Sequence, residues 1–386
     1  MPGEIQLNLH PANFVIISGL VQCIILAGIL ICYRKGNKQA NRIFGLFILI
    51  CSLHFSWPLI MDINLEGIFL QVFWFPYSYL LAVGPLLFFY TKSLTESSFR
   101  ISARQFIHFV PVLAEIVVQV YFIEESIKLN RPIYNVSGFL ILQVIELVGT
   151  GVSILIYATR SLALIKLHEE WLQQNFSNQE KLTLSWLLHL IRYLKVVWTF
   201  WLAFELSFLF FWKFQLHMIP VYGLLYILLG LIIYSTYWIG IQGLIKSEVL
   251  SENAVTKTLS AESTTVYARL SDIELQTTVE ALENLMQREK LYLHETLNLR
   301  TLANRLQKDP NLISYLLNSI LHKSFFDYVN EFRIEEVKSR INNPAYAHLK
   351  IVEIAYESGF NSKATFNRVF RRFTGKSPSD YRNDSE

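Results

Sequence analysis

The spacing of the apolar runs limits this chain more than any other feature. Seven stretches, near residues 12–33, 43–62, 69–91, 105–123, 138–159, 193–212 and 218–241, are mostly apolar. Each has about the 20 residues that an α-helix needs to cross a bilayer core. A chain in lipid must satisfy its own backbone groups, so each run reads as a membrane-spanning helix. Charge is partitioned to match. Residues 1–245 hold 15 Lys/Arg and 12 Asp/Glu, whereas residues 246–386 hold 19 and 19. Only the second part reaches the roughly 25% charge of soluble domains. A single water-soluble domain is excluded. The first run does not read as a signal peptide, because residues 1–11 carry no Lys or Arg where such a peptide has a basic start.

Basic residues in the connections set the orientation. One alternate set carries Arg34, Lys35, Lys38, Arg42, Lys92, Arg100, Arg104, Arg160, Lys166, Lys181, Arg192 and Lys195; the other carries only Lys128, Arg131 and Lys213. By the positive-inside rule the amino terminus is expected outside and everything after Lys246 in the cytoplasm. Within the spans stand Glu115, Glu146, Glu205 and His54. A carboxylate at membrane depth is costly and faces the bundle interior or a water-filled cavity. Glu115, Glu146 and Glu205 are candidate sensor residues for an unknown small ligand or signal, and neutral glutamates hydrogen-bonded between helices are the structural alternative. The last span lacks the lysine that a retinal pigment needs. Cys23, Cys32 and Cys51 lie in apolar runs without C-x-x-C spacing, so neither a zinc site nor a disulfide framework is expected. No metal or cofactor is indicated.

Residues 246–270 are polar and rich in Ser, Thr and Glu, and read as a linker. Ser271 precedes Glu274 in capping-box spacing. Leu275, Val279, Leu282 and Met286 then form an apolar seam over 271–289. The seam fits either a short coiled coil pairing two protomers or a helix packed on its own domain. Its two heptads fall short of the three to four that mark a coiled coil, which favours the second reading.

Residues 290–386 read as short helices. Leu299, Leu302, Ala303 and Leu306 mark one helical face. Asp309 and Pro310 then supply an N-cap and a first helical residue, and the next helix is expected to bury Ile313, Leu316, Leu317 and Ile320. Helix, tight turn, capped helix is a helix-turn-helix unit, here about 297–322. A long amphipathic helix follows at 324–341. A second unit, about 350–373, repeats the plan. In it Gly359 ends one helix, Asn361 or Ser362 caps the next, and Phe366, Val369, Phe370 and Phe373 point inward. Residues 361–382 carry six Lys/Arg against Asp380. A basic open face on a capped helix is a phosphate-tracking footprint.

The segment from Phe325 to Lys338 resembles the linker helix of AraC/XylS-type transcription regulators, and the run from Ile354 to Arg382 resembles the second unit of that family. The resemblance covers about a quarter of the chain. The layout also resembles bacterial membrane-embedded members. It implies an all-α protein: a seven-helix transmembrane bundle in the bacterial cytoplasmic membrane, then a cytoplasmic domain with two helix-turn-helix units. By similarity, Asn311, Ser314 and Tyr315 reach bases from the first unit, and Lys363, Thr365, Asn367 and Arg368 from the second. Arg371, Arg372 and Lys376 meet phosphates. Double-stranded promoter DNA and RNA polymerase are the implied partners, beside the lipid bilayer and a homodimer mate. Gln307-Lys308 and His322 depart from the family, which usually has a small and an apolar residue, and glycine, there. A transporter or channel with a helical regulatory tail is the competing reading. No enzyme is expected: His168-Glu169 and His294-Glu295 begin like H-E-x-x-H, but Leu172 and Asn298 occupy the fifth positions, so that zinc site cannot form.

Overall fold

The computed structural model describes residues 10–63, 65, 78–96, 99–131, 133–179, 182–213, 219–252, 267 and 271–384. Among them there is no strand, only one isolated bridge between Phe176 and Asn298. The chain divides into two compact units, Met1–Ile165 with Leu184–Val255, and Lys166–Thr183 with Thr256–Glu386.

The first unit is built from α1 (Pro11–Cys32), α2 (Lys38–Asp62), α3 (Val83–Thr95), α4 (Val110–Leu129), most of α5 (Phe139–Asn175), α6 (Ser185–Lys213) and α7 (Ile219–Glu252). Among the described residues, five helical stretches are long and apolar enough to cross a membrane: Asn13–Cys32, Lys38–Trp57, Ala103–Leu129, Phe139–Asn175 and Ser185–Phe204. Two shorter apolar stretches, Leu80–Thr95 and Ile227–Gly243, lie where the third and seventh runs were expected. Residues 69–77 of the third run fall outside the described residues.

Helices α4 and α5 expose apolar side chains and bury carboxyl groups. Leu113 and Val117 on α4, and Ile145 and Val148 on α5, are exposed, while Glu115 and Glu146 of the same helices are buried. A soluble helix puts its apolar stripe inward and its charge outward; the reverse suits lipid. Ala27, Phe44, Leu87, Leu187 and Leu229 share the core. Gly243 lets α7 close on α2, since a Cβ there would stand 2.3 Å from the Phe44 ring. Cys23 and Cys51 are buried free thiols and Cys32 is exposed.

The first residues of the expected 246–270 linker are helical, as the end of α7; most of the rest lies outside the described residues. In the second unit α8 (Asp272–Arg288) starts at Ser271, whose hydroxyl accepts from the Glu274 amide. Leu282 and Met286 are fully buried in the core of their own unit, the packed-helix alternative for this seam. The first helix-turn-helix unit is α9 (Leu299–Arg305) and α10 (Pro310–Tyr315). The central helix is α11 (Phe325–Ile341), and the second unit is α12 (Ile351–Glu357) and α13 (Lys363–Thr374), followed by α14 (Pro378–Asn383). Helix α11 serves two cores at once. Phe325, Tyr328 and Val329 pack with Leu302, Ile313 and Leu317; Phe326, Ile334 and Val337 pack with Ile354, Phe366 and Phe370.

Two expected core residues are corrected. Ile320 is 44% exposed, because α10 continues as a π-turn over Leu316–Ile320. The Leu321 amide donates to Leu316 O at 2.9 Å, and the extra residue per turn rotates Ile320 off the buried face. Phe373 is 37% exposed, with the Arg372 guanidinium 5.2 Å from its ring.

Candidate nucleic-acid interface

The second unit presents a basic groove. Ser362 caps α13 by accepting from the Thr365 amide at 3.3 Å. Phe366, Val369 and Phe370 hold the buried face. The 3.6-residue period then leaves Lys363, Asn367, Arg368 and Arg371 exposed. They line one groove with Arg372 from the same helix, Lys350 before α12 and Arg382 of α14. Lys350 and Arg382 were not among the expected contact residues. Lys350 stands alone in the sequence, with no basic cluster around it to signal it. Arg382 is held by donating to Leu349 O at 3.1 Å.

The expected residues divide. Thr365 is only 8% exposed: it stands four residues before buried Val369 and turns inward, away from the exposed face of α13. Arg372 pairs with Asp327 of α11 and sits 5.6 Å from the Phe326 ring, so it ties α13 to α11 as well as facing the groove. Lys376 pairs with Asp384 at 2.7 Å. That exposed pair raises its pKa, chiefly through the hydrogen bond to Asp384, and keeps it charged.

In the first unit Asp309 caps α10 through the Asn311 amide at 2.8 Å. Asn311, Ser314 and Tyr315 are half-buried, while Asn318 is exposed and donates to Ser314 O at 2.9 Å. Tyr267 reaches this helix from the linker: its hydroxyl donates to Asp309 Oδ2 at 2.8 Å, and its ring lies 6.3 Å from that of Tyr315. The expected contacts of the first unit are therefore neutral and partly covered, while the second unit exposes Lys363, Asn367 and Arg368 and buries Thr365.

Buried Arg333 holds the centre of α11. Its Nε donates to Tyr292 O at 2.7 Å and its Nη2 to His294 O at 2.9 Å. Burial lowers its pKa to about 9, against the nearby Glu295 charge that raises it, which still leaves it cationic at neutral pH.

In the first unit of the molecule Glu146 accepts directly from Ser78, and Glu115 connects to Ser78 through Gln119. The Ser78 hydroxyl donates to Glu146 Oε1 and lies 2.9 Å from His54 Nδ1. Gln119 Nε2 donates to Ser78 O at 3.0 Å and to Glu115 Oε1 at 3.2 Å. Glu205 is on α6, but its side chain lies outside the described residues. Among the described residues no group of three His, Cys, Asp or Glu side chains could hold a metal ion.

Residues 302–384 match the family model described as a helix-turn-helix domain. An uncharacterized HTH-type transcriptional regulator of Staphylococcus aureus (strain COL) is 33% identical over 95 residues, 25% of this chain and 12% of that protein. The uncharacterized HTH-type transcriptional regulator YijO of Escherichia coli is 36% identical over 73 residues, 19% of this chain and 25% of that protein. The chain thus matches only a small part of these relatives' length. No solved structure matches it.

Proposed function

Residues 302–384 form a helix-turn-helix domain of the AraC type, and from that premise we propose that this chain is a membrane-embedded, sequence-specific transcription regulator. The observation that carries the reading is the open groove of Lys350, Lys363, Arg368, Arg371, Arg372 and Arg382 along α13. Helix α13 enters the major groove. Lys363 and Arg368 read guanine edges and Asn367 reads adenine, following their hydrogen-bonding geometry, while Arg371, Arg372 and Lys376 meet phosphates. Asn311, Ser314 and Tyr315 of α10 read a second segment. The bundle crosses the membrane seven times with its amino terminus outside, so the DNA-binding domain is cytoplasmic. Glu115 and Glu146, linked through Gln119 and Ser78, belong to the sensing site. A protein of this kind controls transcription from promoter DNA and meets RNA polymerase there.

The test is selection of sites from random duplex DNA by the full chain in lipid nanodiscs at a stated salt concentration. A motif of two segments about 10 base pairs apart is the expected result. Arg368→Ala should cost ~1–3 kcal/mol and relax specificity at one position. No retention of DNA would transfer the weight to a transporter whose tail is only regulatory. A charge swap at Glu146 that leaves signalling intact would remove the carboxylates from the sensing role.

A further inference from the structure

The end of α5 and its connection to α6 leave the first unit after Ile165 and return at Leu184; between those points, Lys166–Thr183 belongs to the unit that carries the helix-turn-helix domain. It closes on itself as a spur. His168 Nε2 lies 3.4 Å from Leu182 O, the Trp171 and Phe176 rings meet edge to face at 5.5 Å, and Leu172 and Leu182 are buried.

The tip of the spur, Phe176-Ser177-Asn178, is inserted among the parts that set the alignment of the two helix-turn-helix units. Phe176 bridges Asn298, the N-cap of α9. The Ser177 hydroxyl donates to Leu297 O at 2.6 Å. Asn178 Nδ2 donates to the carbonyl of Glu295 and, at 3.4 Å, to that of Gly359 in the turn of the second unit. From the central helix, Arg333 Nη2 donates to Ser177 Oγ at 3.2 Å and Nη1 to Asn178 Oδ1 at 3.4 Å. Ser177 and Arg333 are both fully buried. Three residues thus touch the entry to the first unit, the linker helix and the turn of the second.

We propose that this tip is a regulatory clasp: seated, it holds the two helix-turn-helix units in one alignment, and rearrangement of α5 against α6 in the bundle seats or withdraws it. The contacts suit a reversible joint. They are mostly hydrogen bonds, which water can replace on withdrawal, and the Arg333 bonds to Tyr292 O and His294 O remain when the tip leaves. Covalent continuity with two bundle helices supplies the input. Two-segment DNA recognition, on which the proposal rests, supplies the output.

The test uses the full chain in nanodiscs. In Ser177→Ala/Asn178→Ala the tip loses its side-chain bonds while Arg333 is kept. Amide exchange at 295–300 and 357–361 should rise at least tenfold. Affinity for two-segment DNA should shift at least fivefold, with one-segment DNA within twofold. A disulfide from Phe176→Cys/Asn298→Cys, made with Cys32→Ser, should shift two-segment affinity the opposite way and be reversed by reductant; a bridged antiparallel pair has the right separation. Unchanged exchange in the double variant overturns the clasp whether or not DNA binds. Raised exchange with no change on either DNA, or an equal change on both, overturns its regulatory role. If the wild-type chain retains no DNA, the reading of function fails separately, and exchange alone decides the clasp.

Discussion

Gln307 and His322 hold left-handed backbone, at φ 55° and 52°, positions that cost an L-residue about 1–2 kcal/mol relative to glycine's freedom. Each stands where the chain leaves a helix of the first unit. Past His322, the Lys323 amide reaches back to Leu317 O at 2.9 Å. His322→Val, β-branched and ill suited to this region, should destabilise that turn by about 1–2 kcal/mol, read as faster amide exchange at 317–323. His322→Gly should leave exchange there equal or slower. Gly359 is the stricter case. At φ 94° a Cβ would stand 2.3 Å from Tyr292 O and 2.9 Å from Arg333 Nε. Gly359→Ala should therefore open the turn between α12 and α13 and abolish two-segment DNA binding, measured on the same selected site.

Helix α11 is where the units are held together, and its charges do part of that work. Glu336 is mostly buried, which alone would push its carboxyl pKa up. Hydrogen bonds from Arg340, the Tyr292 hydroxyl and Lys290 outweigh burial and hold it below the ordinary carboxylate value. Arg340 reaches Glu336 at 2.8 Å and Glu357 of α12 at 2.6 Å. A carboxylate whose pKa is depressed in the folded state contributes stability above its unfolded pKa of about 4.3 and loses it as pH falls further. Protection of α11 amides, corrected for intrinsic exchange, should hold from pH 7 to about 5 and fall below about 4. Glu336→Gln should start lower and respond less to pH. The π-turn in α10 belongs to this scale too. The heptad-like spacing of Leu316, Leu317 and Ile320 reads as an unbroken helix, and only the packed structure shows the inserted residue that turns Ile320 outward.

Across the molecule, the charged groove of the second unit contrasts with the neutral helix of the first. DNA affinity should therefore fall steeply with salt, and the slope should be set mainly by α13 and its neighbours. Arg371→Ala should reduce the slope of log affinity against log salt by about 1. Asn311→Ala should leave the slope unchanged while altering base preference in one segment. Binding isotherms at several salt concentrations distinguish the two.

Most of the candidate interface was legible from residue order. Apolar residues at helical spacing, a cap at Ser362, a turn at Gly359 and basic residues between the apolar ones mark α13 and its open face, because a helix period is a local property. The apolar runs and the change in charge near residue 245 mark two objects for the same reason: long apolar helices and a charged, water-facing surface demand opposite compositions. The arrival of Lys350 and Arg382 in the groove, the meeting of Glu146 with Ser78 and the seating of Ser177 against Arg333 were decided only by tertiary structure. Each depends on contacts between segments up to 156 residues apart, where hydrogen-bond geometry and packing choose the partner and local periodicity carries no information.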